Sequence, residues 1–277
     1  MSKFLKCGSY TLSLERPLVM GVVNVTPDSF SDGGMFADAA GAISHGRRLI
    51  DEGADILDIG GESTRPGAAP VSLAEERLRV VPVITGLAGC GVPIAVDTRK
   101  PDLMREAVDA GASMINDIGA LGAEGAVEAL AATEAAVCLL HMQGDPQTMQ
   151  NAPAYSNVVR EVREFLRGRV EVAERAGISR DRIVVDPGFG FGKTLEHNLA
   201  LLRGLGEFSD LGAAILAGLS RKTMLGRITG RDVGERVHAS VAAALVAVKN
   251  GAHIVRVHDV AATRDALAIW QAVKNGD

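Results

Sequence analysis

Aromatic residues make up only 4% of the 277-residue chain, with a single tryptophan. Its core must therefore be packed mainly from Ala, Val, Leu and Ile, and the 32 glycines point to many tight turns between elements. Cysteine is scarce. Cys7, Cys90 and Cys138 show no metal-ligand spacing and cannot all pair, which excludes a disulfide scaffold and points to a reducing compartment. Cys138, inside the apolar run Ala135–Leu140, reads as a small buried hydrophobe. Charge of one sign is also lacking: 29 basic against 34 acidic residues give a net charge of -5, no global field to recruit nucleic acid. No run approaches the about 18 apolar residues of a membrane span. The N-terminus has no basic segment followed by an apolar stretch, so no signal peptide is expected. A soluble, cytoplasmic protein without membrane or nucleic-acid partners is the expectation. Hydrophobic residues at 47% exclude disorder as the main state.

What the chain does have is rhythm. Phe4–Leu14, with Gly8-Ser9 at its centre, reads as a hairpin. Short apolar, often β-branched runs follow at Val19–Val25, Ile56–Ile59, Pro93–Val96, Ser113–Asn116, Ala136–Leu140, Arg182–Val185, Ala214–Ala217 and His253–Val257. Such runs suit strands covered on both faces. Between them, stretches such as Ala37–Glu52, Ser72–Gly86, Pro101–Ala110 and Asn157–Ala176 are long enough for amphipathic helices. Helix-ending pairs such as Glu52-Gly53, Ala110-Gly111, Ala176-Gly177 and Asn250-Gly251 turn the chain back toward a sheet. Eight strands alternating with helices predict a closed (β/α)8 TIM barrel with a short N-terminal β-hairpin. An open doubly wound sheet is the rival, but Val25-Thr26-Pro27-Asp28 is no dinucleotide turn. No linker divides the chain, so one domain over 1–277 is expected, with the hairpin at 1–17 and the barrel at 18–275.

Polar residues gather where these strands end: Asn24, Asp97, Asn116, Asp186 and the Arg256-Val257-His258 triplet. In a barrel all carboxyl ends open on one mouth. One polar residue after a strand is an ordinary helix cap; five strands alike are not so easily dismissed. Asp97, Asn116 and Asp186 together would suit an amide- and amine-rich heterocycle. The loops 26–35 (TPDSFSDGGM) and 60–71 (GGESTRPGAAPV) are placed to reach that mouth. Gly188–Thr194 falls one residue short of a P-loop, since Pro187 stands where the first glycine is required. It reads instead as a loop carrying an aromatic wall, and this stretch does not decide between Phe189 and Phe191. Ser220-Arg221-Lys222 follows the seventh strand. With Lys222 and Asn24, Arg256 and His258 favour an anionic substrate near the last strands. His45, His141, His197, His238 and His253 define no zinc constellation.

MGVVNVTPDSFSDGG at Met20–Gly34 and DIGGESTRPGA at Asp58–Ala68 resemble two signatures of the dihydropteroate synthase family. VDTRKP (Val96–Pro101), IND (Ile115–Asp117), HMQGDPQTMQ (His141–Gln150), DPGFGFGK (Asp186–Lys193), GLSRK (Gly218–Lys222) and RVHD (Arg256–Asp259) continue the resemblance nearly end to end. It implies a barrel, a homodimer built through helices of the later half, and condensation of 6-hydroxymethyl-7,8-dihydropterin diphosphate with 4-aminobenzoate to 7,8-dihydropteroate and diphosphate. It also implies that Asp97, Asn116, Asp186 and Lys222 hold the pterin, with Met142 among the substrate contacts. Diphosphate would lie against Asn24, Arg256 and His258. Mg2+ would bind at Asn24 with help from Asp28 or Asp32 in the first loop. Thr64, Arg65, Pro66, Ser220 and Phe191, helped by Phe30, would receive aminobenzoate.

The chemistry needs no Ser or Cys nucleophile, because the amine of aminobenzoate carries its own lone pair. The difficult step is loss of diphosphate from the pterin methylene. Asp97 and Asp186 would oppose positive charge on the pterin, while Mg2+, Arg256, His258 and Asn24 offset charge on the departing diphosphate. Two other readings are a pterin-binding methyltransferase domain serving a corrinoid protein and a non-catalytic pterin-binding protein. The former needs no diphosphate pocket, and the latter predicts degraded loops.

Overall fold

The computed structural model describes residues 3–25, 34–63 and 67–276. β1 (Phe4–Cys7) and β2 (Tyr10–Ser13) form an antiparallel hairpin turning at Gly8-Ser9. Eight parallel strands then close a barrel: β3 (Leu18–Asn24), β4 (Ile56–Gly60), β5 (Ile94–Asp97), β6 (Met114–Asp117), β7 (Ala136–Leu140), β8 (Ile183–Asp186), β9 (Ala214–Ala217) and β10 (Ile254–Val257), with β10 pairing back onto β3. The helices between and after them are α1 (Gly34–Asp51), α2 (Leu73–Leu87), α3 (Pro101–Asp109), α4 (Ala126–Ala131), α5 (Val158–Arg175), α6 (Leu195–Arg203), α7 (Thr223–Thr229), α8 (Val237–Lys249) and α9 (Val260–Asn275).

The ends of these elements follow from hydrogen bonding rather than from apolarity alone. β5 and β8 run one residue past the last apolar position, because the ladder pairs Asp97 with both Gly60 and Asn116, and Asp186 with Leu140. Ser72 and Asn157 stand just outside α2 and α5 as caps, accepting the N–H groups of Glu75 and Arg160. Gly53, Gly111, Gly177 and Gly251, which end α1, α3, α5 and α8, take φ of +97°, +116°, +94° and +108°. A β-carbon there would be strained, which is why glycine marks each return to the barrel.

Strand alternation divides the core in two. Outward side chains such as Val19, Val23, Ile59, Val96 and Val185 pack under the helices. Inward ones, including Met20, Ile56, Met114, Cys138, Val184 and Leu216, fill the barrel's lower half. Leu5 and Cys7 of the hairpin belong to that same inner cluster, so the hairpin is a plug beneath the barrel. Cys138 is wholly buried, as its apolar surroundings predict, and burial holds its thiol well above the ordinary value. With the floor sealed by apolar side chains, the open mouth lies at the strands' carboxyl ends.

Candidate active site

The same inward register that fills the floor continues upward into polar residues. On β3 it runs Met20, then Asn24; on β4, Ile56 then Asp58; on β5, Ala95 then Asp97. β6 gives Met114 then Asn116, β8 gives Val184 then Asp186, and β10 gives Ile254 then Arg256. Each strand changes chemistry along one face as it rises to the mouth.

Arg256 joins these side chains. Its Nε donates to Asp58 Oδ2 at 2.5 Å and its Nη2 to Asp97 Oδ2 at 3.3 Å. Asn116 Nδ2 donates to the same Asp58 oxygen at 3.2 Å. Asp58 Oδ1 and Asn116 Oδ1 are buried acceptors with no hydrogen-bond donor among the described residues. Asp186 Oδ1 accepts the Gly188 N–H at 2.7 Å. Two glycines widen the mouth at this level. A β-carbon on Gly60 would meet Asp97 at 3.6 Å, and one on Gly218 would sit 3.8 Å from Asp186 Oδ2.

Three carboxylates thus share a buried space with one guanidinium. Burial, then the neighbouring Asp58 charge, raises the Asp97 carboxyl far above the usual range. Burial raises Asp186 to about 6, against the Gly188 N–H and the cationic neighbours that pull it down. For Arg256, burial works against the charge, yet Asp58 and Asp97 hold the guanidinium above its ordinary value. The site is rich in acceptors and short of donors. It suits a ring that presents N–H groups.

Beyond the ends of β9 and β10, Ser220 Oγ lies 2.9 Å from His258 Nδ1 and accepts the His258 N–H at 3.2 Å. Asn24 and His258 both line a cavity of about 590 Å³ that extends past Arg221 and Asp259 to Arg48 on α1. Lys222 Nζ stands 4.3 Å from the centre of the Phe191 ring. Phe189 is buried in the outer core, whereas Phe191 packs with Ile118, Leu140, Met149 and Met142 at the mouth. The aromatic wall is therefore Phe191.

The described residues expected at the mouth lie around it, and Arg256 has a further set of partners there. Arg256 lies among the carboxylates, bonded to Asp58 and Asp97, rather than beside Asn24 and His258 alone. Thr64, Arg65 and Pro66, and Asp28, Phe30 and Asp32 of the first loop, lie outside the described residues. The loop bearing Thr64–Pro66 is nevertheless tied at both flanks: Glu62 is held by Lys100 and Arg99 and accepts the Val71 N–H at 3.3 Å. Lys100 also reaches the buried Glu76 of α2.

Three groups were missed by sequence reasoning. Asp58 had a signal, a lone charge inside the apolar run Ile56–Ile59. Glu76 had none, since one inward Glu on an amphipathic helix looks like any other. Lys193 was set aside with the failed P-loop; it is buried and donates to His141 Nδ1 at 2.9 Å, His141 O at 3.2 Å and Phe191 O at 2.9 Å. Burial lowers its pKa to about 7, and burial with the Lys193 charge lowers His141 to about 3. The pair clamps the loop after β8 against the loop after β7. Gly188 permits this approach, because a β-carbon there would fall 1.9 Å from His141 O.

Residues 20–258 match the family model described as "Pterin binding enzyme". The dihydropteroate synthase of Neisseria meningitidis serogroup B is 52% identical over 275 residues, covering 97% of this chain and 96% of that protein. The chain belongs to the dihydropteroate synthase family. Solved family members superpose over the whole fold. The Xanthomonas albilineans dihydropteroate synthase with 4-aminobenzoic acid is 53% identical, with a TM-score of 0.93 and 99% of both chains covered. The Burkholderia cenocepacia dihydropteroate synthase complexed with 7,8-dihydropteroate is 49% identical, with a TM-score of 0.89, covering 99% of this chain and 97% of that one.

Proposed function

We propose how this mouth carries out the dihydropteroate synthase reaction, the condensation of 6-hydroxymethyl-7,8-dihydropterin diphosphate with 4-aminobenzoate. The observation that carries the reading is the acceptor-rich cluster of Asp97, Asn116 and Asp186 at one level of the barrel. The pterin lies flat across it, its ring N–H and amino groups donating to Asp97, Asp186 and the Asn116 amide oxygen. Lys222 caps the ring from the Phe191 side. Arg256 uses two of its five N–H donors on Asp58 and Asp97 and has donors left for a diphosphate oxygen. Asn24 and His258 receive the rest of the diphosphate. Phe191, Met142 and Ser220, with Thr64, Arg65 and Pro66, form the aminobenzoate side.

In the reaction the methylene C–O bond breaks, its electron pair leaves with diphosphate, and the aminobenzoate nitrogen forms the new C–N bond and passes its proton to water or to the released diphosphate. Asp97 and Asp186 face the ring as it becomes electron-poor. Arg256, His258 and Asn24 face the departing anion. Catalysis is positioning plus a fixed field, with no covalent enzyme intermediate.

The donor set fits Mg2+ only as a shared ion. Among the described residues no three His, Cys, Asp or Glu side chains could surround a metal, and Asn24 offers a single amide oxygen. A hard cation that keeps its waters and is recruited by phosphate oxygens meets that description. Asn24, with Asp28 or Asp32, would hold it. When bound, Mg2+ offsets charge on the leaving diphosphate.

The reading extends to a cytoplasmic homodimer. No helix among the described residues is long and apolar enough to cross a membrane. Ile228 of α7, Val246 of α8 and Val233 between them are exposed apolar side chains on the later half, the kind of surface a second copy would cover. The test of the proposed chemistry is single-turnover product formation from substrate dideuterated at the methylene. Rate-limiting C–O cleavage ahead of attack gives a clear normal secondary isotope effect. An effect of unity would contradict it.

A further inference from the structure

Arg221 is one of few described residues other than glycine with positive φ, at 57°, and its two neighbours are Ser220 and Lys222. A side chain with a β-carbon avoids this left-handed region unless its surroundings impose it. Here they do. The Arg221 N–H donates to Ser240 Oγ at 2.9 Å, and that hydroxyl donates in turn to the Arg236 carbonyl at 2.7 Å. Arg236 Nη1 donates to the Arg221 carbonyl at 3.1 Å. The Arg221 guanidinium is paired with Asp259, with Nη2 to Oδ1 at 2.6 Å. Even Gly226 on α7 belongs to the arrangement, since a β-carbon there would sit 2.3 Å from Arg236 Nη2.

We propose that Ser240 and Arg236, on and before α8 and outside the mouth, are positioning residues that hold Arg221 in this conformation, and that the turn aims Ser220 and Lys222 at the substrates. The inference rests on the pterin and diphosphate roles argued above. A left-handed residue reverses the local chain direction, so the side chains on either side of it diverge. Ser220 goes to His258 at the anion wall, and Lys222 goes to the Phe191 ring. Ser220 and Lys222 thereby reach different partners from positions only two apart. Ser240 is buried, so its hydroxyl serves the turn and not the solvent.

Two pairs of variants test this. Arg221→Gly and Arg221→Ala lose the same side chain and the same Asp259 pair, but only glycine holds the left-handed turn without strain. At equal folded protein, kcat/KM for pterin diphosphate is expected about tenfold higher for Arg221→Gly than for Arg221→Ala. If Arg221 acted only through its guanidinium, the two would be equal. Ser240→Ala removes the acceptor and is expected to raise KM for pterin diphosphate roughly five- to tenfold with kcat within about twofold. Ser240→Thr, which keeps the hydroxyl, restores the wild-type KM. Wild-type dihydropteroate synthesis together with equal Arg221→Gly and Arg221→Ala, or an unchanged KM in Ser240→Ala, would overturn the turn's role and leave the functional reading standing. Absence of product from the wild type would overturn that reading, and this inference with it.

Discussion

The guanidinium of Arg256, near the end of the last barrel strand, donates to the wholly buried carboxylate of Asp58 on the second, 198 residues away in sequence. The pair links β10 to β4 across the intervening β3, beside the seam where the barrel closes. It also fixes which face of Arg256 is turned to the mouth. Removing one member of a buried ion pair leaves the other uncompensated, at a cost of about 3–5 kcal/mol. Asp58→Ala should therefore lower the urea unfolding free energy by that order. A loss below about 1 kcal/mol would mean that Asp97 alone holds Arg256.

Asp97 should matter less to stability than to turnover. Asp97→Asn keeps shape and removes one charged acceptor, worth roughly 1.5–3 kcal/mol. Expressed at the transition state, that is about one to two decades in kcat/KM. Steady-state kinetics on the folded variant checks it; wild-type turnover would remove Asp97 from the site.

The sign reverses for stability at Asp186. Its carboxyl binds a proton more tightly in the native state, titrating at about 6 rather than the ordinary 3.8. Its stability contribution is thus complete below the unfolded value and is lost as pH rises through about 6. Asp186→Asn cannot ionise, so it should stabilise the empty protein at pH 8 by on the order of 3 kcal/mol and have little such effect at pH 4, while abolishing most activity. Equal changes in melting temperature at both pH values would contradict the buried-carboxylate account.

Ligand binding should then release protons. N–H donors from a pterin favour ionised Asp97 and Asp186, lowering both values toward the ordinary range. Near pH 6 the apparent binding enthalpy of 6-hydroxymethylpterin should vary with the ionisation enthalpy of the buffer in the sense of proton release, and affinity should rise from pH 5 to 7. Proton uptake would invert the assignment.

Much of the fold and part of the mouth are legible in the sequence itself. Strand runs and helix-ending glycines are local signals, and closure into a barrel follows from their alternation. The polar residues Asp97, Asn116 and Asp186 are legible because each closes or follows an apolar run, and Asn24 and Arg256 because each stands one residue from the end of its run. Asp58 breaks its run in the middle, where a charge on a doubly covered strand makes sense only once inward and outward faces are known. The clamp of Lys193 on His141 joins residues 52 apart through loop geometry, which no spacing rule encodes. The left-handed Arg221 is hidden for a further reason: arginine gives no warning of positive φ, which tertiary hydrogen bonds impose.

The central claim is that this acidic barrel mouth makes dihydropteroate. Purified protein given 6-hydroxymethyl-7,8-dihydropterin diphosphate, 4-aminobenzoate and Mg2+ should yield one 7,8-dihydropteroate for each diphosphate released. A folded Asp97→Asn, Asp186→Asn double variant should give almost none. No product from the wild type, or undiminished product from the double variant, would contradict the account.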